Sequence, residues 1–337
     1  VSSLRDVARL AGVSLPTASQ ALNGRARISS ETRQRVRDAA RRLRYTPHAA
    51  ARHLSLGRSN SVAIVPGLNM TGIFSDLFYR AVLAGVGSVF EDIGCRMLIA
   101  PPLRPSSPQP PFVEMAQARE VDGILIAGVV EARWVRAVLE AGVPVVILDN
   151  FLPDAEAPAV VNDNAGGAYA ATRHLAALGH RRIGFIGAAV GYPFGRETRD
   201  GYTAALRDAG LARERALESA VPIDADAAFR AAGELLALPR RPTAVFAVTD
   251  MLALGVMRAA GAAGLRIPED LSVVGMDDID LAATTDPPLT TVRVRKDVMG
   301  ATSARILLDR IAGHETAPPL TVIPNELVIR ATTGGPR

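Results

Sequence analysis

Apolar residues in the first 45 positions recur at helical spacing. Leu4, Val7, Ala8 and Ala11 share one face, which predicts a short helix that Ser3 can cap, with Asp6 near its positive end. Gly12 supplies the backbone freedom for a turn, and Val13 packs into it. Ser14 can cap a second helix from about Leu15 to Leu22, with Pro16 in the first turn, where no intrahelical N–H is needed, and Asn23-Gly24 at its end. A third helix runs from Ser29 or Ser30 to about Leu43, and Val36, Ala40 and Leu43 close a three-helix core. Two short helices about a glycine turn form a helix-turn-helix.

From Ser61 the period changes. SVAIVP, CRMLIAP, DGILIAG, PVVILDN, RIGFIGA, TAVFAVTD and LSVVGMDD read as buried parallel strands. Amphipathic helices lie between them, among them Leu77–Ile93, Ala165–Leu178 and Ala228–Leu238. Alternating βαβα units predict an α/β body of two doubly wound layers, with a boundary near Asp149 to Val161, where FLPDAEAPAV reads as a crossing segment.

Charge separates the same two parts. The first sixty residues hold twelve arginines against three acids, whereas the remainder holds 26 basic and 31 acidic side chains. The net +4 is therefore a basic head on a mildly acidic body, and like charges crowded on a small domain repel unless a polyanion meets them. An apolar fraction of 48% with 21% charge suits a soluble globule. Cys95 is the single cysteine, so no internal disulfide can form. With no secretory pattern at the N-terminus and no apolar run long enough for a membrane span, the expected compartment is the cytoplasm.

Ligands of open parallel sheets sit beyond the carboxyl ends of the strands. The polar strand-end residues Asp149, Asp163, Thr249, Asp250 and Asp277 are thus the candidates for a pocket between the layers. Carboxylates there can accept hydrogen bonds from vicinal hydroxyls, as in sugar recognition; the same aspartates can instead cap the helices that follow.

The blocks DVARLAGVS and ALNG, the SSETRQRV helix and RYTPHAAARHL resemble the lactose-repressor (LacI/GalR) family of transcription regulators, and the resemblance covers essentially the whole chain. It implies an α/β protein with an N-terminal three-helix helix-turn-helix head (1–46), a hinge helix and linker (47–60), and a bilobed, doubly wound parallel-sheet body of periplasmic-binding-protein type (61–337). The first lobe is expected at about 61–160 and 292–324, and the second at about 161–291 and 325–337. The resemblance puts Leu15, Pro16 and Gln20 at base-reading positions. Gln20 can pair with an adenine edge, and Leu15 and Pro16 offer apolar contact, for instance to a thymine methyl. Ser14, Thr17, Ser19, Asn23 and Tyr45 are expected at phosphates. Leu54 matches the leucine that wedges into the minor groove at the operator centre. Ile73 and Phe74 match residues that lean on the ligand.

The chain departs from the family where an arginine commonly precedes the Gly of an R-x-x-G-[FY] pattern. Thr198 stands there, with Arg196 and Arg199 on either side as alternative sources of the guanidinium. Thr249 also replaces the usual Asn before Asp250.

Enzyme readings find little support. No Walker motif or G-x-S-x-G elbow exists, IGFIGAAVGYPFG lacks dinucleotide-site spacing, and the five histidines are scattered without metal spacing. The expectation is a non-enzymatic, ligand-responsive regulator without cofactor or metal. It is most simply a repressor that binds a pseudo-palindromic operator in double-stranded DNA as a homodimer. A sugar or sugar derivative is the favoured effector, with a nucleobase or nucleoside second. The absence of a heptad tail favours a dimer over a coiled-coil tetramer.

Overall fold

The computed structural model describes residues 2–22, 28–45, 59–67, 73–74, 76–101, 108–188, 193–314 and 317–337. Asn23, Leu54 and the hinge segment 47–58 lie outside the described residues.

The head contains α1 (Leu4–Ala11), α2 (Leu15–Leu22) and α3 (Ser30–Arg42). Ser3 and Asp6 cap α1 reciprocally: Asp6 Oδ2 accepts from the Ser3 amide at 3.0 Å and from its hydroxyl at 2.7 Å. Gly12 ends the helix at φ +65°, a left-handed conformation that costs other residues energy. Val7, Ala8, Ala11, Ala18, Ala21, Val36, Ala39 and Ala40 form a small core, with Leu43 and Tyr45 packed at its edge.

Two six-stranded sheets make the body. The first holds β1 (Ser61–Pro66), β2 (Arg96–Ile99), β3 (Gly123–Ala127), β4 (Val145–Leu148), β5 (Ala159–Asn162) and the late β11 (Leu320–Ile323), in the order β2-β1-β3-β4-β5-β11 and all parallel. The second holds β6 (Ile183–Ala188), β7 (Glu218–Val221), β8 (Ala244–Ala247), β9 (Ser272–Asp277), β10 (Thr290–Arg293) and β12 (Glu326–Val328), in the order β7-β6-β8-β9-β10-β12. Among the described residues only β12 runs antiparallel in it. Helices follow the strands: α4 (Leu77–Asp92), α5 (Pro111–Gln117), α6 (Ala132–Glu140), α7 (Asn164–Ala177), α8 (Pro193–Asp208), α9 (Ala225–Leu236), α10 (Asp250–Ala262) and α11 (Lys296–Ile311). Apolar clusters cover each sheet on both faces, and this explains why its strands read as unbroken hydrophobic runs.

The boundary expected at 149–161 falls later. Val160 and Val161 belong to β5, whose β-branched run pairs with β4 on one side and β11 on the other. The preceding segment folds into a 3-10 turn, Pro153–Ala155, that buries Ala155 and lays β5 into the first sheet. The chain changes lobe after Asn162, again between Arg293 and Lys296, and a third time after Ile323. Val292 and Arg293 therefore stay with the second lobe, paired to Met276 and Asp277.

Candidate functional site

Helix α2 presents the face expected to read DNA. Ser14 Oγ accepts from the Thr17 amide at 3.2 Å and lies 2.8 Å from its hydroxyl, fixing the helix start. Ala18 and Ala21 are fully buried, so Leu15, Pro16 and Gln20 turn outward and are exposed. Thr17, Ser19 and Tyr45 are half-buried. Arg5 and Arg9 on α1, and Arg35, Arg37, Arg41 and Arg42 on α3, are exposed and give the head its positive surface.

A cavity of about 370 Å³ lies between the two sheets, the size of a small-molecule site. Both walls stand where strand order reverses. In the first sheet the reversal lies between β1 and β3, and Gly67 and Gly128, which follow those strands, line the cavity. In the second it lies between β6 and β8, and Phe194 and Thr249 line it. A Cβ on Gly128, at φ +88°, would sit 2.9 Å from the Tyr79 hydroxyl, so glycine there admits the tyrosine.

Three carboxylates face this space: Asp76, Asp149 and Asp277. Asp76 caps α4, accepting from the Phe78 amide at 2.8 Å, yet burial still pushes its carboxyl upward. Asp149 ends β4 at φ +60° and accepts from the Tyr79 hydroxyl at 3.1 Å. Burial lifts it to about 7; the nearby charges of Asp76 and Glu197 add to the rise, and the tyrosine bond opposes it. Asp277 ends β9 at φ +123°, only 9% exposed, with no hydrogen bond to its carboxylate among the described residues. Burial first, and then the charge of Asp250, holds it well above the usual carboxylate range. The Lys296 ammonium opposes that rise from behind; it donates to the backbone carbonyl of Asp277 and, at 3.3 Å, to those of Asp278 and Val294. Backbone held at positive φ in two non-glycine residues facing one cavity is the kind of strain that clusters at binding sites.

Of the residues expected in the pocket, Ile73, Asp149, Thr249 and Asp277 line the cavity. Thr249 precedes α10 and spends no side-chain hydrogen bond on the cap. The others are placed elsewhere. Asp163 caps α7, accepting from the Gly166 amide at 2.8 Å. Asp250 is fully buried and ties three strand ends together: its oxygens accept from the Thr291 hydroxyl at 2.5 Å and from the Ile279 amide at 2.9 Å. Thr198 is buried and donates to the Phe194 carbonyl at 2.8 Å. Arg196 is exposed, and Arg199 lies 3.8 Å from Glu218 beside β7. Neither alternative puts a guanidinium on the wall, because the first turn of α8 presents Phe194 there instead. Phe74 is 62% exposed and is not a lining residue.

Sequence reasoning missed Asp76, Tyr79, Asn162, Asn164 and Phe194, all of which line the cavity. Asn162 and Asn164 flank Asp163. The strand-end rule found the right place, but alternation along the chain turns the two neighbours toward the cleft. Asp76 carried a signal as the cap of a clear amphipathic helix; Tyr79, one turn inside it, carried none.

A basic three-helix head joined to a two-lobed α/β body with a cavity at both switch points defines a ligand-responsive, DNA-binding transcription regulator. The chain belongs to the lacI family of bacterial regulatory proteins: residues 3–48 match that family's profile, and residues 172–333 match the periplasmic binding protein-like domain. It is 35% identical over 331 residues to the HTH-type transcriptional regulator CelR of Thermobifida fusca, covering 97% of each chain. It is 32% identical over 340 residues to the transcriptional repressor CytR of Escherichia coli (strain K12), covering 98% of this chain and 96% of CytR. Among solved structures it resembles a CelR–cellobiose complex, with a TM-score of 0.73 and 32% identity over 98% of this chain and all of that one. It also resembles the lac repressor dimer bound to operator and the anti-inducer ONPF, with a TM-score of 0.83 and 27% identity over 99% of both chains.

Proposed function

We propose that this regulator represses transcription as a homodimer on a pseudo-palindromic operator, and that a polyhydroxylated small molecule in the interlobe cavity sets its affinity for DNA. Each head lays the N-terminal part of α2 in the major groove, where Gln20 reads a base and Leu15 and Pro16 make apolar contacts. Segment 47–58 joins head to body, and Leu54 wedges into the minor groove at the operator centre. The observation that carries the reading is that one cavity takes carboxylates from both lobes, Asp149 from β4 and Asp277 from β9. A ligand that hydrogen-bonds to both changes the angle between lobes, and reciprocity then links effector affinity to operator affinity. Carboxylates and the Asn162 and Asn164 amides suit the hydroxyls of a sugar or sugar derivative better than the flat, apolar face of a nucleobase. The CelR–cellobiose complex shows that a relative of the same fold is a sugar-binding regulator.

The test is selection of duplexes from a random pool by the full-length protein at physiological salt, followed by anisotropy titration of the winner with candidate effectors. A palindrome whose affinity changes on effector addition is expected. Salt-sensitive binding without sequence preference, with or without effector, overturns the reading. On the selected site, Gln20→Ala should relax preference at one base pair per half-site by about 1–3 kcal/mol; a uniform loss across all sequences would mark a phosphate contact instead.

A further inference from the structure

The cavity is unbalanced in charge. Three carboxylates line it, and no Arg, Lys or His lines it among the described residues. The stretches adjoining lining residues in sequence, 68–72, 75 and 189–192, contain no basic residue either. The cations nearest the strand ends are spent elsewhere. Lys296 is buried on backbone carbonyls, Arg293 and Arg330 both pair with Asp278, and Arg199 sits beside Glu218. Glu197, hydrogen-bonded to Asn164 at 2.8 Å, adds a further acid at the rim.

Two buried groups await a partner. The Asp277 carboxylate, 9% exposed, has no hydrogen bond among the described residues, and Oδ1 of Asn162, a residue 5% exposed, accepts none. Asp277 belongs to the second lobe and Asn162 to the first, so both walls offer an acceptor and, among the described residues, neither offers a cation. Neutral hydroxyls satisfy acceptors but do nothing to stabilise an ionised carboxylate in this buried, acid-rich space. A protonated amine satisfies the same acceptors and stabilises the carboxylates in their ionised form, against burial and against one another. A phosphate or carboxylate would add a further negative charge.

We propose that the effector is a hydroxylated compound bearing a basic amine, that its ammonium donates to Asp277 with Asp149 or Asp76 close by, and that the cavity rejects phosphorylated and acidic analogues. This rests on the reading of the cavity as the effector site. The elevated carboxyls of Asp149 and Asp277 fit it: each gives up its proton when a cation arrives, so binding of the amine releases protons and binding of a neutral sugar does not. The titratable and charged groups facing them are Asp76 at the cap of α4 and the Tyr79 phenol within it, Glu197 from α8, Asp250 from α10 and Lys296 from α11.

Calorimetric titration of the full-length protein tests this with matched probes: glucosamine against glucose and glucose 6-phosphate, and the β-1,4 disaccharide of glucosamine against cellobiose. Runs in two buffers of different ionisation enthalpy report the protons released. The amine is expected to bind at least tenfold more tightly than its neutral match, with proton release, and glucose 6-phosphate is expected not to bind. Asp277→Asn should bring amine and neutral probe to within about twofold; Asp149→Asn, which keeps a partner for Tyr79, serves if that variant does not fold. Equal or tighter binding of a neutral or phosphorylated probe overturns the inference and leaves the cavity as effector site. No heat from any probe at millimolar concentration removes both.

Discussion

The two lobes meet the cavity in opposite states of readiness. On the first, Asp76 already accepts the Phe78 amide and Asp149 the Tyr79 hydroxyl, so that wall is held in place before any ligand arrives. On the second, the engaged carboxylate is Asp250, turned inward onto Ile279 and Thr291, while Asp277 lines the cavity without a hydrogen-bond partner among the described residues. In the proposed function the second wall would gain most from a ligand, so the ligand's energy would go into the relation between lobes. The difference also separates two aspartates that stand 27 positions apart at strand ends of one sheet. One is a structural cross-link; the other faces the cavity and, in the proposed function, meets the effector.

The strongest way to break the comparison is to remove both carboxylates of the second lobe, one at a time. Asp250→Ala leaves the buried Ile279 amide and Thr291 hydroxyl without their partner, and should cost about 2–4 kcal/mol of stability, read by denaturant unfolding. Asp277→Ala should leave stability unchanged or raised and abolish the effector's influence on operator binding, a loss of at least about a hundredfold in effector affinity (~2.7 kcal/mol). If Asp277→Ala unfolds the protein and Asp250→Ala silences the effector, the two roles are the wrong way round.

The next effect concerns the first lobe and pH. The folded carboxyl of Asp149 is raised from its ordinary 3.8 to about 7, so the folded state holds a proton that the unfolded state has lost between those values. The stability contribution is fully present below about 4 and disappears as pH rises through about 7. The ligand-free protein should therefore melt at a lower temperature at pH 8 than at pH 6. Asp149→Asn should recover about 1 kcal/mol at pH 8, roughly 2–4 °C in melting temperature, and flatten that slope. An unchanged slope would assign the titration to Asp277 or Asp250 instead.

The smallest effect belongs to the bridge between the lobes. Arg80 of α4 meets Asp280 of the second lobe at 2.9 Å, and both side chains are largely exposed. Exposed pairs are worth about 0–1 kcal/mol, and salt weakens them. Arg80→Ala should change effector affinity by no more than about threefold at low salt and not at all at high salt. A larger change that survives salt would mean that the bridge holds the closed form.

Much of this was legible because local rules suffice. Ser3, Gly12 and Ser14 mark the ends of α1 and α2 by capping and turn chemistry alone, and the alternation of apolar runs with amphipathic helices announces two doubly wound sheets. β5 was harder. Its short AVVN run follows a proline-bearing segment that looks like a linker, and it becomes a strand by pairing with β4 on one side and, on the other, with β11, some 160 residues later. The arginine sought around Thr198 failed for a related reason. Helical phase at the start of α8 turns Thr198 into the core and Arg199 toward Glu218, and chain position alone does not fix that phase.

The sequence by itself determined the three helices of the basic head, the seven most apolar strands of the body and the strand ends at which a site had to lie, since capping, periodicity and charge act over a few residues; β5, β7, β10, β11 and β12 became strands only through their partners in the sheets. Only the tertiary structure decided which strand-end aspartate faces the cavity. Asp250 and Asp277 obey the same local rule, and their fates diverge because the Thr291 hydroxyl and the Ile279 amide, brought in from elsewhere in the chain, saturate one and leave the other facing the cavity.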